Sequence, residues 1–196
     1  LTFSALLNIE KTEMFDEIQK LYIIYDSPDY SELTKAASIS VLAEISTKNS
    51  LGAYTDTEEV QNILVEIFEK VSSYFTNCLD KSLDIRFNIA NVIDNLLDVA
   101  DILFQNEEIV TNLIDIILEN LVHIPEKAPN NSNRQPDQFH SKLLSILLKI
   151  IKLRYSNEEF NPEKIFEFII QKIIDYQDPT VDQDMISNYL TFWTLL

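Results

Sequence analysis

Apolar residues recur along this chain at steps of three and four, the spacing that builds one face of an α-helix. Met14, Phe15, Ile18, Leu21, Tyr22 and Tyr25 form the first such stripe and predict a helix over about residues 12–25. A second helix, over about 31–47, carries Leu33, Ala36, Ala37, Val41 and Ile45. The third, about 57–78, has Val60, Ile63, Leu64, Ile67, Phe68, Val71 and Phe75 on one stripe. Further helices are predicted over about 82–104, 107–122, 137–155, 161–176 and from 178 onward, with a short piece near Phe3–Leu7. Helix-start chemistry punctuates the pattern. Asp56-Thr57-Glu58-Glu59 reads as a capping box. Asn161-Pro162-Glu163 supplies a cap, a first-turn proline and an acid at the positive end of the helix dipole, and Asp178-Pro179 repeats that order. Pro125 to Pro136 shows no apolar period and predicts a flexible loop.

Taken two at a time, these helices begin units near residues 12, 57, 107 and 162. A loose period of about 45–55 residues made of two helices is the mark of an α-solenoid. The sequence therefore predicts an all-α fold, a single segment over residues 1–196 built from about four antiparallel helix pairs. A plain helical bundle is the alternative. A bundle helix needs an apolar stripe on one side only, whereas Leu143–Leu153 is apolar around much of its circumference, as a helix with neighbours on two sides must be. The apolar pattern is still running at Trp193-Thr194-Leu195-Leu196, which predicts a piece of a longer array.

Composition narrows the chemistry. There is one glycine, Gly52, so a glycine-rich phosphate loop or a nucleophile elbow cannot be built, and hairpin turns lack their usual residue. The lone Cys78 cannot form an intrachain disulfide, and no signal peptide or membrane span is apparent, so the cytoplasm or nucleus is expected. The formal charge of −17 makes nucleic acid an unfavourable partner and a basic one favourable. The acidity is uneven: residues 1–60 and 61–120 carry most of it, and the remainder is nearly balanced.

One segment adds a family resemblance. Asp84-Ile85-Arg86-Phe87-Asn88-Ile89-Ala90-Asn91-Val92-Ile93-Asp94-Asn95-Leu96-Leu97 resembles the second helix of a HEAT repeat, with Ile89, Ala90, Ile93 and Leu96 at the family's apolar offsets from Arg86. Asp178-Pro179-Thr180-Val181 resembles the opening of the same helix in another repeat but lacks the arginine, and Ser31–Ile45 fits with Lys35 in the basic position. The resemblance to the HEAT/armadillo-like family implies a stacked solenoid. It also implies that Asp84 and Arg86 face outward and pair between neighbouring repeats. The acidic balance and the aromatic group Tyr189, Phe192 and Trp193 are similar to features of importin-β/exportin-type transport receptors, which would imply cargo or a small GTPase as partner.

The candidate binding surface is a polar stripe on the fourth helix: Asn88, Asn91, Asn95, Asp94, Asp98 and Asp101. Steps of three and four place these on one side, where amides can bond an extended backbone and carboxylates can draw Lys or Arg. The bland reading is a solvated helix face. Lys142, Lys149, Lys152 and Arg154 form the one basic cluster, which either meets an acidic partner or RNA, or balances the acidic units within the array. His123, His140 and Cys78 lack metal-ligand spacing, and Glu58-Glu59 and Glu107-Glu108 are explained by helix starts, so no metal, cofactor or catalytic group is expected. The function expected is a non-catalytic protein-binding scaffold, part of a larger complex, that uses an acidic, Asn-bearing face to hold a basic or extended partner segment. An RNA-binding solenoid and a helical enzyme subunit are the readings from other classes. The terminal aromatic group is expected to pack against a further repeat.

Overall fold

The computed structural model describes residues 11–47, 58–99, 106–124, 135–154, 160–175 and 183–195. They form eight α-helices: α1 (Lys11–Asp26), α2 (Glu32–Ile45), α3 (Glu58–Thr76), α4 (Leu83–Val99), α5 (Glu107–Val122), α6 (Pro136–Arg154), α7 (Glu163–Asp175) and α8 (Gln183–Leu195). No strand occurs among the described residues, and the chain is all-α. The piece near Phe3–Leu7, the linker around Gly52 and residues 125–134 of the expected loop lie outside the described residues. Pro136, taken above as the end of that loop, is the first residue of α6 and is buried.

Local chemistry sets the helix starts. Ser31 Oγ accepts from the Thr34 N–H, and Asn106 Oδ1 accepts from the N–H groups of Glu108 and Ile109. Asn161 Oδ1 accepts from the Glu163 N–H at 2.9 Å, the cap that the Asn-Pro-Glu order predicts. At α6 the Gln138 side chain reaches back to accept from the Gln135 N–H, one half of a capping box. Pro136 fits there because a first-turn residue needs no donor.

Sequence-adjacent helices pair: α1 with α2, α3 with α4, α5 with α6 and α7 with α8. Helices two apart also meet. In one row α4 lies against α2 and α6, and α6 against α8. In the other, α5 lies against α3 and α7. Side chains join α1 to α3: Gln19 Nε2 donates to Glu66 Oε1 at 2.6 Å, and Lys70 pairs with Asp26 at 2.9 Å. The Lys70 ammonium also lies over the rings of Tyr22 and Tyr74, and the Tyr25 ring packs on Tyr74 at 4.1 Å.

The core runs the length of both rows. Helices with neighbours on two sides bury more of their circumference. On α4, Leu83, Ile85, Ile89, Ala90, Val92, Ile93, Leu96 and Leu97 are all buried. On α7 the buried residues are Ile165 and Ile169. Each fully buried Leu or Ile contributes about 1.5–3 kcal/mol relative to an exposed one, so α4 and α6 carry the largest share of the packing energy.

Candidate binding face and its joints

The polar stripe of α4 faces its neighbours. Asn88 Nδ2 donates to the Ala36 carbonyl at 2.9 Å, and Asn95 Nδ2 to the Ala43 carbonyl at 2.7 Å, both across to α2. The two bonds repeat seven residues along each helix, two turns, and each joins residues 52 apart in sequence. A helix carbonyl has a second lone pair beyond the one its own helix uses. Alanine at 36 and 43 has no long side chain to cover that oxygen, which lets the amide approach.

Asp94 and Asp98 face the other way, toward α6. Lys142 Nζ donates to Asp94 Oδ2 at 3.0 Å. Lys149 Nζ lies 2.6 Å from Asp94 Oδ1, 3.0 Å from Asp98 and 3.2 Å from the Asp94 main-chain oxygen. The Lys142 ammonium also sits over the Phe87 ring. Burial opposes the charge on Asp94, but the hydrogen bonds and charges of the two lysines outweigh it and hold the carboxyl below its ordinary range. Burial likewise opposes the charge of Lys149, and bonding to Asp94 and Asp98 outweighs it, so its ammonium titrates above the usual lysine. Asp94 keeps 16% of its side-chain surface and Asp98 keeps 51%, so the cluster opens to water at Asp98. Asn91 is half-buried, and Asp101 lies outside the described residues.

Arg86, which the family resemblance has facing outward, instead occupies a different side of α4 and is buried. Its guanidinium reaches the C-terminal end of α5. Nη1 donates to the His123 carbonyl at 2.8 Å and Nη2 to the Asn120 carbonyl at 3.1 Å. Nε and Nη2 also donate to Asn120 Oδ1. These carbonyls carry the negative end of the α5 dipole, so the helix terminus meets the charge. The face of Phe139 on α6 covers the guanidinium at 4.9 Å. Asn120 Nδ2 in turn donates to the carbonyls of Ile116 and Phe75. The Cys78 thiol donates to the Phe75 carbonyl at 3.1 Å, and burial pushes its pKa up to about 12 even beside Arg86. Arg86 and Asn120 together thus tie α3, α4, α5 and α6. Asp84 stands half-buried in the first turn of α4, where its charge suits the helix dipole.

The basic cluster divides. Lys142 and Lys149 bind the α4 acids as above, Arg154 is buried against Glu107, and Lys152 is exposed. The histidines also separate. His123 is exposed at the end of α5, while His140 is buried between α6 and α8. There Asn188 Nδ2 lies 3.3 Å from His140 Nδ1 and donates to the Asp137 carbonyl at 3.2 Å. Of the terminal aromatics, Tyr189 and Phe192 are buried, with the Tyr189 ring edge-on to His140, while Trp193 is 46% exposed with its ring against Phe166 of α7. Among the described residues no group of three or more His, Cys, Asp or Glu could hold a metal, and no helix is long and apolar enough to cross a membrane.

Sequence reasoning missed Asn120. Its signal was present: a lone amide on the apolar stripe Leu113, Ile117 and Leu121 of α5. A polar side chain on a buried stripe needs a partner on another element. Comparison of the chain with models of protein families, with curated proteins and with solved structures finds no match.

Proposed function

We propose that the two rows of helices are the two sides of a HEAT/armadillo-like solenoid of antiparallel pairs, and that the chain is a non-catalytic scaffold binding a partner protein along the α2, α4, α6 and α8 side. The recurrence of one kind of joint supports the stack. Asn88 and Asn95 bond α2, Lys142 and Lys149 bond α4, and Asn188 bonds α6. In each case a donor on one second helix reaches an oxygen on the preceding second helix, at nearly one repeat's distance along the chain. Repeats that touch only their neighbours are held together at such joints.

The observation that carries the binding reading is the partly open cluster of Asp94, Asp98, Lys142 and Lys149. The chain's own ammonium groups occupy the carboxylates that a basic partner would use. A basic, extended segment binds by replacing them. One ammonium is exchanged for another at the same carboxylates, so the exchange is close to balanced and reversible. The same contacts make Lys142 and Lys149 counter-ions of acids within the chain, which weighs against the RNA-binding reading. Capture of partners from a cytoplasmic or nuclear extract tests the proposal, comparing wild type with a variant carrying Asp94→Asn and Asp98→Lys. The variant, with its helical circular dichroism unchanged, is expected to lose a shared set of partners. Identical sets would reject this face as the binding site.

A further inference from the structure

One lysine of the cluster between α4 and α6 meets more acceptors than it has hydrogens. Lys149 Nζ lies 2.6 Å from Asp94 Oδ1, 3.0 Å from each of the two Asp98 carboxylate oxygens and 3.2 Å from the Asp94 main-chain oxygen. An ammonium has three hydrogens to give. Four oxygens therefore share three donors, and the Asp98 carboxylate presents both of its oxygens to the nitrogen at one distance. Lys142 stands otherwise. It donates to the single oxygen Asp94 Oδ2, and its ammonium also rests over the Phe87 ring. Lys149 is moreover the lysine that meets the open acid: its side chain keeps 27% of its surface, and that of Asp98 keeps 51%.

We infer that the partner places an arginine side chain in the position Lys149 holds, and that the four oxygens there select arginine over lysine. The inference rests on the reading of this cluster as the binding face. A partner lysine would replace Lys149 like for like. It would meet the same four oxygens with the same three hydrogens and bring no surplus to offset the freedom lost on association. A guanidinium brings five N–H donors in a planar fork. Two of them run parallel and match a carboxylate that offers both oxygens, as Asp98 does. The others remain for Asp94 Oδ1 and the Asp94 main-chain oxygen. A guanidinium is also more weakly hydrated than an ammonium, so it leaves water at lower cost. The exchange suits the chain as well. The displaced Lys149 head returns to water, where an ammonium is strongly hydrated. Lys142 stays on Asp94 Oδ2, so both oxygens of that half-buried carboxylate keep a donor throughout. A quaternary ammonium, which has no N–H, meets none of these needs.

Titration of the whole, isotope-labelled chain with short end-blocked peptides tests this, read from the amide resonances of Asp94, Asp98 and Lys149. The peptides are glycine-serine chains with either one central arginine or one central lysine, added up to about 10 mM. On wild type the arginine peptide is expected to bind about tenfold more tightly than the lysine peptide. Lys149→Arg keeps the formal charge of −17 but serves the four oxygens from within. The arginine peptide should therefore bind that variant about tenfold more weakly than wild type. Attraction to a generally acidic surface is unchanged by this substitution. Equal affinity of wild type for the two peptides overturns the inference, as does an arginine peptide that binds Lys149→Arg as well as wild type. Asp98→Asn, with its folding checked by circular dichroism, reads the binding face separately. If the two peptides bind wild type alike and both weaken on Asp98→Asn, the face stands and the choice of arginine falls. If Asp98→Asn binds both as wild type does, or if neither peptide binds wild type, the face and the inference fall together.

Discussion

Two sides of α4 handle charge in opposite ways. Toward α6, Asp94 and Asp98 meet Lys142 and Lys149 in a cluster that remains open to water at Asp98. Toward α5, Arg86 is buried and bound by main-chain carbonyls, the Asn120 side chain and the Phe139 ring. The open cluster has partly exposed lysine heads and, at Asp98, an acid that a competitor can reach. The closed one has a rigid guanidinium fork whose donors converge on fixed oxygens. The first suits exchange with a partner and the second suits permanence. Both are polar joints between helix pairs, so polarity alone does not mark a binding site. Access does.

Breaking the closed side should cost most. Replacing Arg86 with leucine strands Asn120 and two helix-end carbonyls in the interior, and a loss of about 3 kcal/mol or more is expected in chemical denaturation. Arg86→Lys recovers only part, because one ammonium cannot serve the three oxygens the fork reaches. A loss under about 1 kcal/mol for Arg86→Leu would mean the buried joint is not what fixes α5 to α4.

The open side should give less. Asp94→Asn leaves two lysines facing a neutral amide, with an expected loss of about 1–2 kcal/mol for a half-buried cluster. The effect has a pH signature. Burial works against the Asp94 carboxylate but its lysines hold the folded pKa below the usual value. Its contribution is therefore present above the unfolded pKa of about 3.9 and is lost as pH falls through the lower folded one. The difference in urea midpoint between wild type and Asp94→Asn should shrink steadily below about pH 4. A difference that persists unchanged to about pH 2 would show that the carboxylate's charge is not what the lysines bind.

The helices themselves were largely readable in the sequence. Apolar steps of three and four located all eight described helices, and α5 runs over Glu107–Val122, the span expected for it. The destination of the polar stripe was not readable. Periodicity on one helix gives the direction of a side chain but not which helix lies there. Asn88 and Asn95 sit beside Asp94 and Asp98 on a helical wheel, yet α4 is flanked on two sides, and the stripe divides between α2 and α6. The seven-residue spacings of Asn88 with Asn95 and of Lys142 with Lys149 were the available hint, since two turns of repeat mark a seam between helices. Arg86 was singled out by its HEAT-like surroundings, but its partner Asn120 comes from another unit and carries no motif of its own.

The central claim is that the lysines of α6 hold the α4 acids in place of a partner. The affinity of a captured partner for a variant carrying Lys142→Met and Lys149→Met tests it most directly, measured by titration calorimetry beside wild type. With the internal ammonium groups gone and the side-chain stems kept, the partner should bind more tightly, by about tenfold if each freed carboxylate returns a modest charge-assisted bond. Unchanged or weakened binding by a variant that keeps its helical signal would contradict the account.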